Sequence, residues 1–166
     1  MTTTSTHRFT AATAREMKDL GERLGQHGEG GDVIVLSGDL GSGKTTLTQG
    51  IARGMGIREP VTSPTFVIAR THPNPGPGPD LVHVDAYRLG SVVELDDLDL
   101  ESDLDRSVVV VEWGEGIADD LSPSRLEVRI VRPDDDADET RTIDIVAHSA
   151  RWADLLGRLS ARAGRR

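Results

Sequence analysis

Nine consecutive residues, Gly38-Asp39-Leu40-Gly41-Ser42-Gly43-Lys44-Thr45-Thr46, carry the clearest chemistry in the chain. Glycine, four residues, glycine, lysine and then a hydroxyl residue is the pattern of a loop that wraps phosphate groups. Its glycines let the backbone wind so that successive N–H groups face an anion. Lys44 is suited to reach β- and γ-phosphates, and the Thr45 hydroxyl can ligate Mg2+. A helix beginning here adds the positive end of its dipole. The nucleotide-binding residues expected from this stretch are Asp39, Leu40, Gly41, Ser42, Gly43, Lys44, Thr45 and Thr46.

A phosphate loop needs an acidic partner at the C-terminal end of a neighbouring strand, to hold Mg2+ directly or through water. Two positions qualify. Asp85 follows Leu81-Val82-His83-Val84, and Glu112 follows four consecutive valines, 108–111. Parallel strands would bring both to the loop side of a sheet, where either could serve the metal or orient an attacking water. The four-valine strand is the more hydrophobic and therefore the more central, so Glu112 takes the closer metal role. Thr65, in Thr62-Ser63-Pro64-Thr65, lies where a hydroxyl can sense a γ-phosphate. His83 alternates with Asp85 and is read as a packed, hydrogen-bonded histidine.

The elements that must position these groups follow from periodicity. Val33-Ile34-Val35-Leu36 is a continuous aliphatic run, as in a buried parallel strand. Leu47, Ile51 and Met55 form a helical stripe that Gly56 closes. Upstream, Thr13 and Glu16 have capping-box spacing ahead of Met17, Leu20 and Leu24. Phe66-Val67-Ile68-Ala69 and Leu81 to Asp85 read as strands. Between them, 71–80 is rich in proline and glycine and is expected to be a mobile surface loop. The acidic segment 94–105 reads as a short helix with one buried edge. Residues 126–131 and 142–146 alternate apolar and polar, the pattern of an antiparallel hairpin at a sheet edge. Ser149 caps a last helix of about 150–162. The predicted fold class is α/β: a three-layer P-loop NTPase domain over 1–166. Its central sheet is mostly parallel, with helices on both faces and a C-terminal antiparallel hairpin.

Composition narrows the classes further. With two Trp, two Phe and one Tyr, the core must be aliphatic. The absence of cysteine removes disulfides, thiolate metal sites and cysteine nucleophiles. No stretch of about 18 apolar residues is present, so the expected location is the cytoplasm and no membrane partner is expected. A net charge of −9 opposes direct RNA binding, because affinity for a phosphate backbone comes from Lys and Arg. Lys18 and Lys44 are the only lysines, so no Asn-Lys-x-Asp guanine motif exists. No Asp-x-x-Gly follows either candidate strand, which also argues against a GTPase. A small-molecule kinase is the alternative enzyme class, but it would want an arginine-rich lid. A binding module without turnover is the third class.

Taken together, the phosphate loop, Ser63-Pro64-Thr65, His83-Val84-Asp85-Ala86-Tyr87-Arg88-Leu89 and Val111-Glu112-Trp113 resemble the TsaE family, the bacterial ATPases of tRNA threonylcarbamoyladenosine synthesis. The resemblance runs from about Thr13 through the terminal hairpin. It implies a cytosolic Mg2+-dependent ATP hydrolase, slow without partners, that docks on the TsaB–TsaD pair. There it supports threonylcarbamoyl transfer to the adenosine beside the anticodon, touching tRNA only through the complex. Carried over residue by residue, Lys44 and the loop amides hold the phosphates of ATP, and Thr45 with Glu112 binds Mg2+. Asp85 contributes to metal or water positioning, Trp113 and Glu115 lie at the nucleotide pocket, and Thr65 sits in a switch-like segment. The proline loop is longer and the acidic segment more acidic than the resemblance leads one to expect.

Overall fold

The computed structural model describes residues 4–39, 41–62, 69–85, 104–112, 124–135 and 137–163. Strand β1 spans Ser5–Ala11, helix α1 Ala14–Gln26, β2 Val33–Ser37 and α2 Lys44–Met55. Then come β3 (Ala69–His72), β4 (Asp80–Asp85), a single 3-10 turn at Leu104–Arg106 and β5 (Ser107–Glu112). Strands β6 (Arg125–Val131) and β7 (Arg141–Ala147) precede the final helix α3 (Ala150–Ala163). Leu40, Thr65, Trp113 and Glu115 lie outside the described residues, as does most of the acidic segment expected to be helical.

One sheet of seven strands runs in the order β1-β7-β6-β2-β5-β4-β3. Its middle is parallel: β6 pairs β2, β2 pairs β5, and β5 pairs β4. Both margins are antiparallel, with β3 on β4 at one side and the β6–β7 hairpin followed by β1 at the other. Strand β5 is central and buried throughout, as its valines require. The hairpin is present, but β7 is not the edge, because β1 pairs along its whole length. The sequence of β1, Ser-Thr-His-Arg-Phe-Thr-Ala, shows no apolar alternation to announce it; its half-exposed margin position accepts polar side chains on both faces.

The segment 71–80 is a loop between two strands, as read, but shorter than its expected bounds. Its ends belong to β3 and β4, and the turn between them is tied down. Asn74 donates its amide to Met55 O at 2.9 Å and Pro79 O at 3.0 Å, and accepts from the Gly76 N–H at 2.9 Å. One side chain thus closes the proline turn on itself and docks it on the end of α2.

Local signals place the helices as read. The Thr13 hydroxyl accepts from the Glu16 N–H at 3.1 Å, while the Glu16 carboxylate reaches back to the Ala12 N–H. Gly56, at φ +88°, ends α2. The Ser149 hydroxyl accepts from the Trp152 N–H at 3.3 Å at the start of α3. All three described helices join one apolar cluster with Ile34, Leu36, Leu81, Val108, Val110, Leu126 and Val128. These strand residues share one face of the sheet by register. Val33, Val35, Val82, Val84, Val109 and Val111 point to the other face and are equally buried.

The largest contact between any two elements is α1 on α2, and it is made through glycine. A Cβ on Gly25 would fall 2.0 Å from Ile51 O, and one on Gly54 would fall 2.0 Å from Glu22 O. Gly21 and Gly50 are similarly closed, at 2.4 Å from Leu47 O and 2.3 Å from Lys18 O. Two pairs spaced by four residues let the helix backbones touch, so α1 fixes the height and tilt of the helix that opens the phosphate loop. Gly25→Ala should therefore destabilise the protein by about 3 kcal/mol, the upper end of ordinary overpacking, because backbone must move. Gly157→Ala, which meets nothing within 4 Å on α3, should stabilise by up to about 1 kcal/mol through helix propensity. Urea unfolding of both variants checks the pair of signs.

Candidate functional site

Strand β2 is the rod on which the loop is mounted: Val33 to Leu36 are almost fully buried, and the chain turns at Gly38 directly after Ser37. At Gly38 φ is +152°, and an added Cβ would meet Ser42 Oγ at 2.6 Å and Ile130 O at 2.7 Å. The loop therefore packs edge-on against the end of β6. Gly43, at φ +114°, then leads into α2 without a side-chain cap, leaving the first-turn N–H groups of α2 to be satisfied from outside the helix.

Lys44 is 7% exposed and folds back over its own loop, donating to Gly38 O at 2.7 Å and Asp39 O at 3.0 Å. Burial pushes its ammonium below the ordinary lysine pKa, against the opposing charges of Glu112, Asp39 and Asp85. Such a group gains from any polyanion that enters the loop. Ser42 is fully buried, and its Oγ has no hydrogen-bond partner among the described residues. Both features suit an anion: a buried ammonium that donates to two loop carbonyls, and a buried hydroxyl with no hydrogen-bond partner among the described residues.

The parallel register delivers the carboxylates. Leu36 of β2 lies opposite Glu112 of β5, and Glu112 lies opposite Asp85 of β4. Both acids thus stand at the loop end of the sheet, Glu112 one strand from the loop and Asp85 two. Glu112 is 3% exposed, and the Thr45 hydroxyl donates to its Oε1 at 3.3 Å. Asp85 is half-buried, and its charge bears on Lys44. Thr46 is half-buried on the first turn of α2, and Asp39 and Gly41 are exposed at the loop's outer rim. Lys44, Thr45, Glu112 and Asp85 are brought together as the spacing required. No group of three His, Cys, Asp or Glu side chains able to hold a metal occurs among the described residues. Two carboxylates and a hydroxyl beside a phosphate loop nevertheless fit Mg2+, which takes one or two carboxylates and completes its shell with phosphate oxygens and water.

His83 is packed, as expected, but it is not hydrogen-bonded among the described residues, and its neighbour is part of the site. It is wholly buried, and its Nε2 lies 3.3 Å from Glu112 Oε2 without the alignment of a hydrogen bond. Arginines of the hairpin also reach the loop. Arg141 Nε donates to Ser42 O at 3.1 Å, and Arg132 Nη1 would lie 3.5 Å from a Cβ on Gly41. Arg129 and Arg132 line a cavity of ≈380 Å3 beside Ser37 and Asp39. No motif marks these arginines; they become visible only once β6 is seen beside β2.

The closure at Gly38 yields an expected outcome. Gly38→Ala should weaken binding of a fluorescent adenine nucleotide about tenfold or more, from roughly 1–3 kcal/mol of strain and displaced loop backbone. Gly41→Ala, strained at φ +78° but facing only a flexible arginine, should lose less. Equal affinities in a titration of the two variants would contradict the packing described.

The family model for threonylcarbamoyl adenosine biosynthesis protein TsaE matches residues 11–143. Among curated relatives, TsaE of Streptomyces coelicolor is 55% identical over 139 residues, covering 82% of this chain and 94% of its own length. TsaE of Bacillus subtilis is 39% identical over 146 residues, 87% of this chain and 88% of that protein. TsaE of Mycobacterium tuberculosis is 55% identical over 120 residues, 68% of this chain and 71% of that protein. The crystal structure of Bacillus subtilis YdiB superposes with a TM-score of 0.74 at 31% identity, covering 97% of this chain and 98% of that one. The loop, the register and the extent of these matches agree, and the chain belongs to the TsaE family, which takes part in tRNA threonylcarbamoyladenosine biosynthesis.

Proposed function

We propose that this chain is a Mg2+-dependent ATPase that binds and hydrolyses ATP and acts on the TsaB–TsaD pair, supporting threonylcarbamoyl transfer to the tRNA adenosine next to the anticodon. The observation that carries the reading is the convergence of the Lys44 ammonium, the Thr45 hydroxyl and the buried Glu112 carboxylate at one end of a parallel sheet.

Phosphoryl transfer asks a protein mainly for positioning and for charge that meets the phosphate oxygens. Loop N–H groups and the N-terminus of α2 hold the β-phosphate region. Lys44 exchanges its two loop carbonyls for phosphate oxygens, and the triphosphate compensates the charge that burial penalises. Thr45 and Glu112 would hold Mg2+, which would supply positive charge against the charge developing on the phosphate oxygens. Asp85, one strand further out, serves the metal or orients the attacking water. Water forms the new bond to the γ-phosphorus as the bridge to the β-phosphate breaks, giving ADP and phosphate. Thr65, Trp113 and Glu115 belong to the same reading, Thr65 as the nucleotide sensor and the other two at the nucleotide pocket.

Lys44→Ala should abolish productive nucleotide binding with the fold intact, and lower kcat at least about 100-fold where hydrolysis is still measurable. Hydrolysis equal to wild type at matched purity, with an unchanged far-UV spectrum, would remove the assignment. Glu112→Gln should lose Mg2+ dependence and turnover while ATP binding largely survives through the loop amides, and Asp85→Asn should also cut turnover. A double variant no worse than the poorer single one places both carboxylates on one site, whereas multiplicative losses separate them.

The partner side of the reading rests on charge. A chain of net charge −9, without a basic stripe carrying aromatics, is a poor tRNA ligand. Labelled tRNA titrated at low salt should bind this chain alone more weakly than micromolar, whereas the TsaB–TsaD pair should bind the chain in an ATP-dependent way. Micromolar or tighter binding of tRNA by the isolated chain overturns the protein-docking role.

A further inference from the structure

We propose that His83 is a positioning residue for Glu112: its Nε2–H is the second partner of the carboxylate and holds Oε2 while the Thr45 hydroxyl holds Oε1. The inference rests on the ATPase reading above and adds a residue to that site.

Glu112 is an acceptor-only group held 3% exposed, so water does little to solvate it and its partners must come from the protein. Thr45 supplies one at Oε1, 3.3 Å away. At Oε2 the neighbour is His83 Nε2, also at 3.3 Å. Register explains the placing: His83 pairs with Val110 and Asp85 with Glu112, so His83, Asp85 and Glu112 point to one face of the sheet. His83 is 0% exposed, and neither of its ring nitrogens has a hydrogen-bond partner among the described residues. An imidazole beside a carboxylate must carry its proton on the nitrogen that faces the oxygen, which makes Nε2 the donor and leaves Nδ1 bare. The ring then acts as a neutral donor and needs no change of charge.

The misalignment at 3.3 Å is informative. In the arrangement seen, Glu112 is bonded to Thr45 and only approaches His83. A Thr45 hydroxyl whose oxygen serves a metal keeps its proton and still donates to Glu112 Oε1, so Oε2 is the oxygen that needs a second partner. A small rotation of the carboxylate toward His83 completes the Nε2–H···Oε2 bond, so that both oxygens of Glu112 are held. With an apolar side chain at 83, the same rotation would leave a buried carboxylate oxygen unpaired. Outer partners that orient ligands in this way are worth about 10–100-fold in metal affinity or activity.

Three measurements test this. In wild-type protein without nucleotide or Mg2+, long-range 1H–15N spectra at about pH 8, above the ordinary histidine range near 6.5, should show His83 as the Nε2–H tautomer. Its signals are assigned by their loss in His83→Gln. In steady-state hydrolysis, His83→Leu should lower kcat by about 10–100-fold, raise the Mg2+ concentration needed for half-activation, and leave KM for ATP within about twofold. His83→Gln, whose amide N–H reaches the Nε2 position, should recover most of kcat. Thermal midpoints of both variants separate misfolding from mispositioning. An Nδ1–H tautomer overturns the proposal, and so does wild-type kcat in His83→Leu, or equal losses in the Gln and Leu variants with unchanged midpoints. Should the Leu variant not fold, the tautomer and the Gln variant decide. Wild-type protein that hydrolyses no ATP even with TsaB and TsaD would sink the ATPase reading instead, and the tautomer measurement stands apart from it.

Discussion

Keeping the Glu112 carboxylate out of water, 3% exposed, is the constraint around which the loop end of this protein is arranged. An ionised oxygen pair in such a place needs donors and nearby positive charge. Thr45 and His83 flank the two oxygens, and Lys44 stands close enough for its ammonium to feel the charge. These residues come from α2, β4 and β5, and the loop hangs from β2, so the site exists only while the four elements keep their relative heights. Lys44 is itself penalised by burial. The arrangement is thus a set of polar groups that satisfy one another partially, a condition expected where an anionic ligand completes the bonding.

The heights are held by two kinds of contact. Parallel pairing of β2 with β5, and of β5 with β4, ends all three strands at the same level, and the buried valines on both faces make a register slip costly. The position of α2 above them is held by α1, through a backbone contact that four glycines permit. Arg141 adds a strut from the hairpin to Ser42 O, so even the antiparallel margin of the sheet bears on the loop. Within the TsaE family, this frame gives a physical account of why a superposition extends over 97% of the chain at 31% identity. Aliphatic core positions tolerate exchange of one branched side chain for another, whereas the close helix contact and the loop turn do not tolerate bulk.

Legibility of the sequence divided by range. Phosphate loop, helix caps, the aliphatic strands at 33–36, 81–85 and 108–111 and the alternating hairpin were readable, because each is decided by residues within a few positions of one another; of the strand expected at 66–69, residues 66–68 lie outside the described residues. The centrality of β5 followed from Val108 to Val111, and with it the closeness of Glu112 to the loop. Thr13, Ser149 and Gly56 act where their types suggested. Two features rest on contacts of longer range that the sequence did not announce. Asn74 anchors the proline turn to α2, 19 residues away, and β1 closes the hairpin edge although its sequence carries no apolar alternation.

By itself, then, the sequence determined the chemistry available: a lysine and threonine on a glycine loop, two acids at strand ends, an aliphatic core and a net charge of −9. Only the tertiary structure decided how these groups meet. Thr45 finds Glu112 across 67 positions and Arg141 finds Ser42 across 99, pairings that no local pattern encodes. His83 has the same character. From its strand it is a buried histidine like many others, and from the sheet it is the neighbour of the one carboxylate that the loop hydroxyl touches. The physical reason is that hydrogen bonds within a turn depend on local backbone conformation, whereas contacts between strands depend on strand order. Strand order is set by the packing of the whole core.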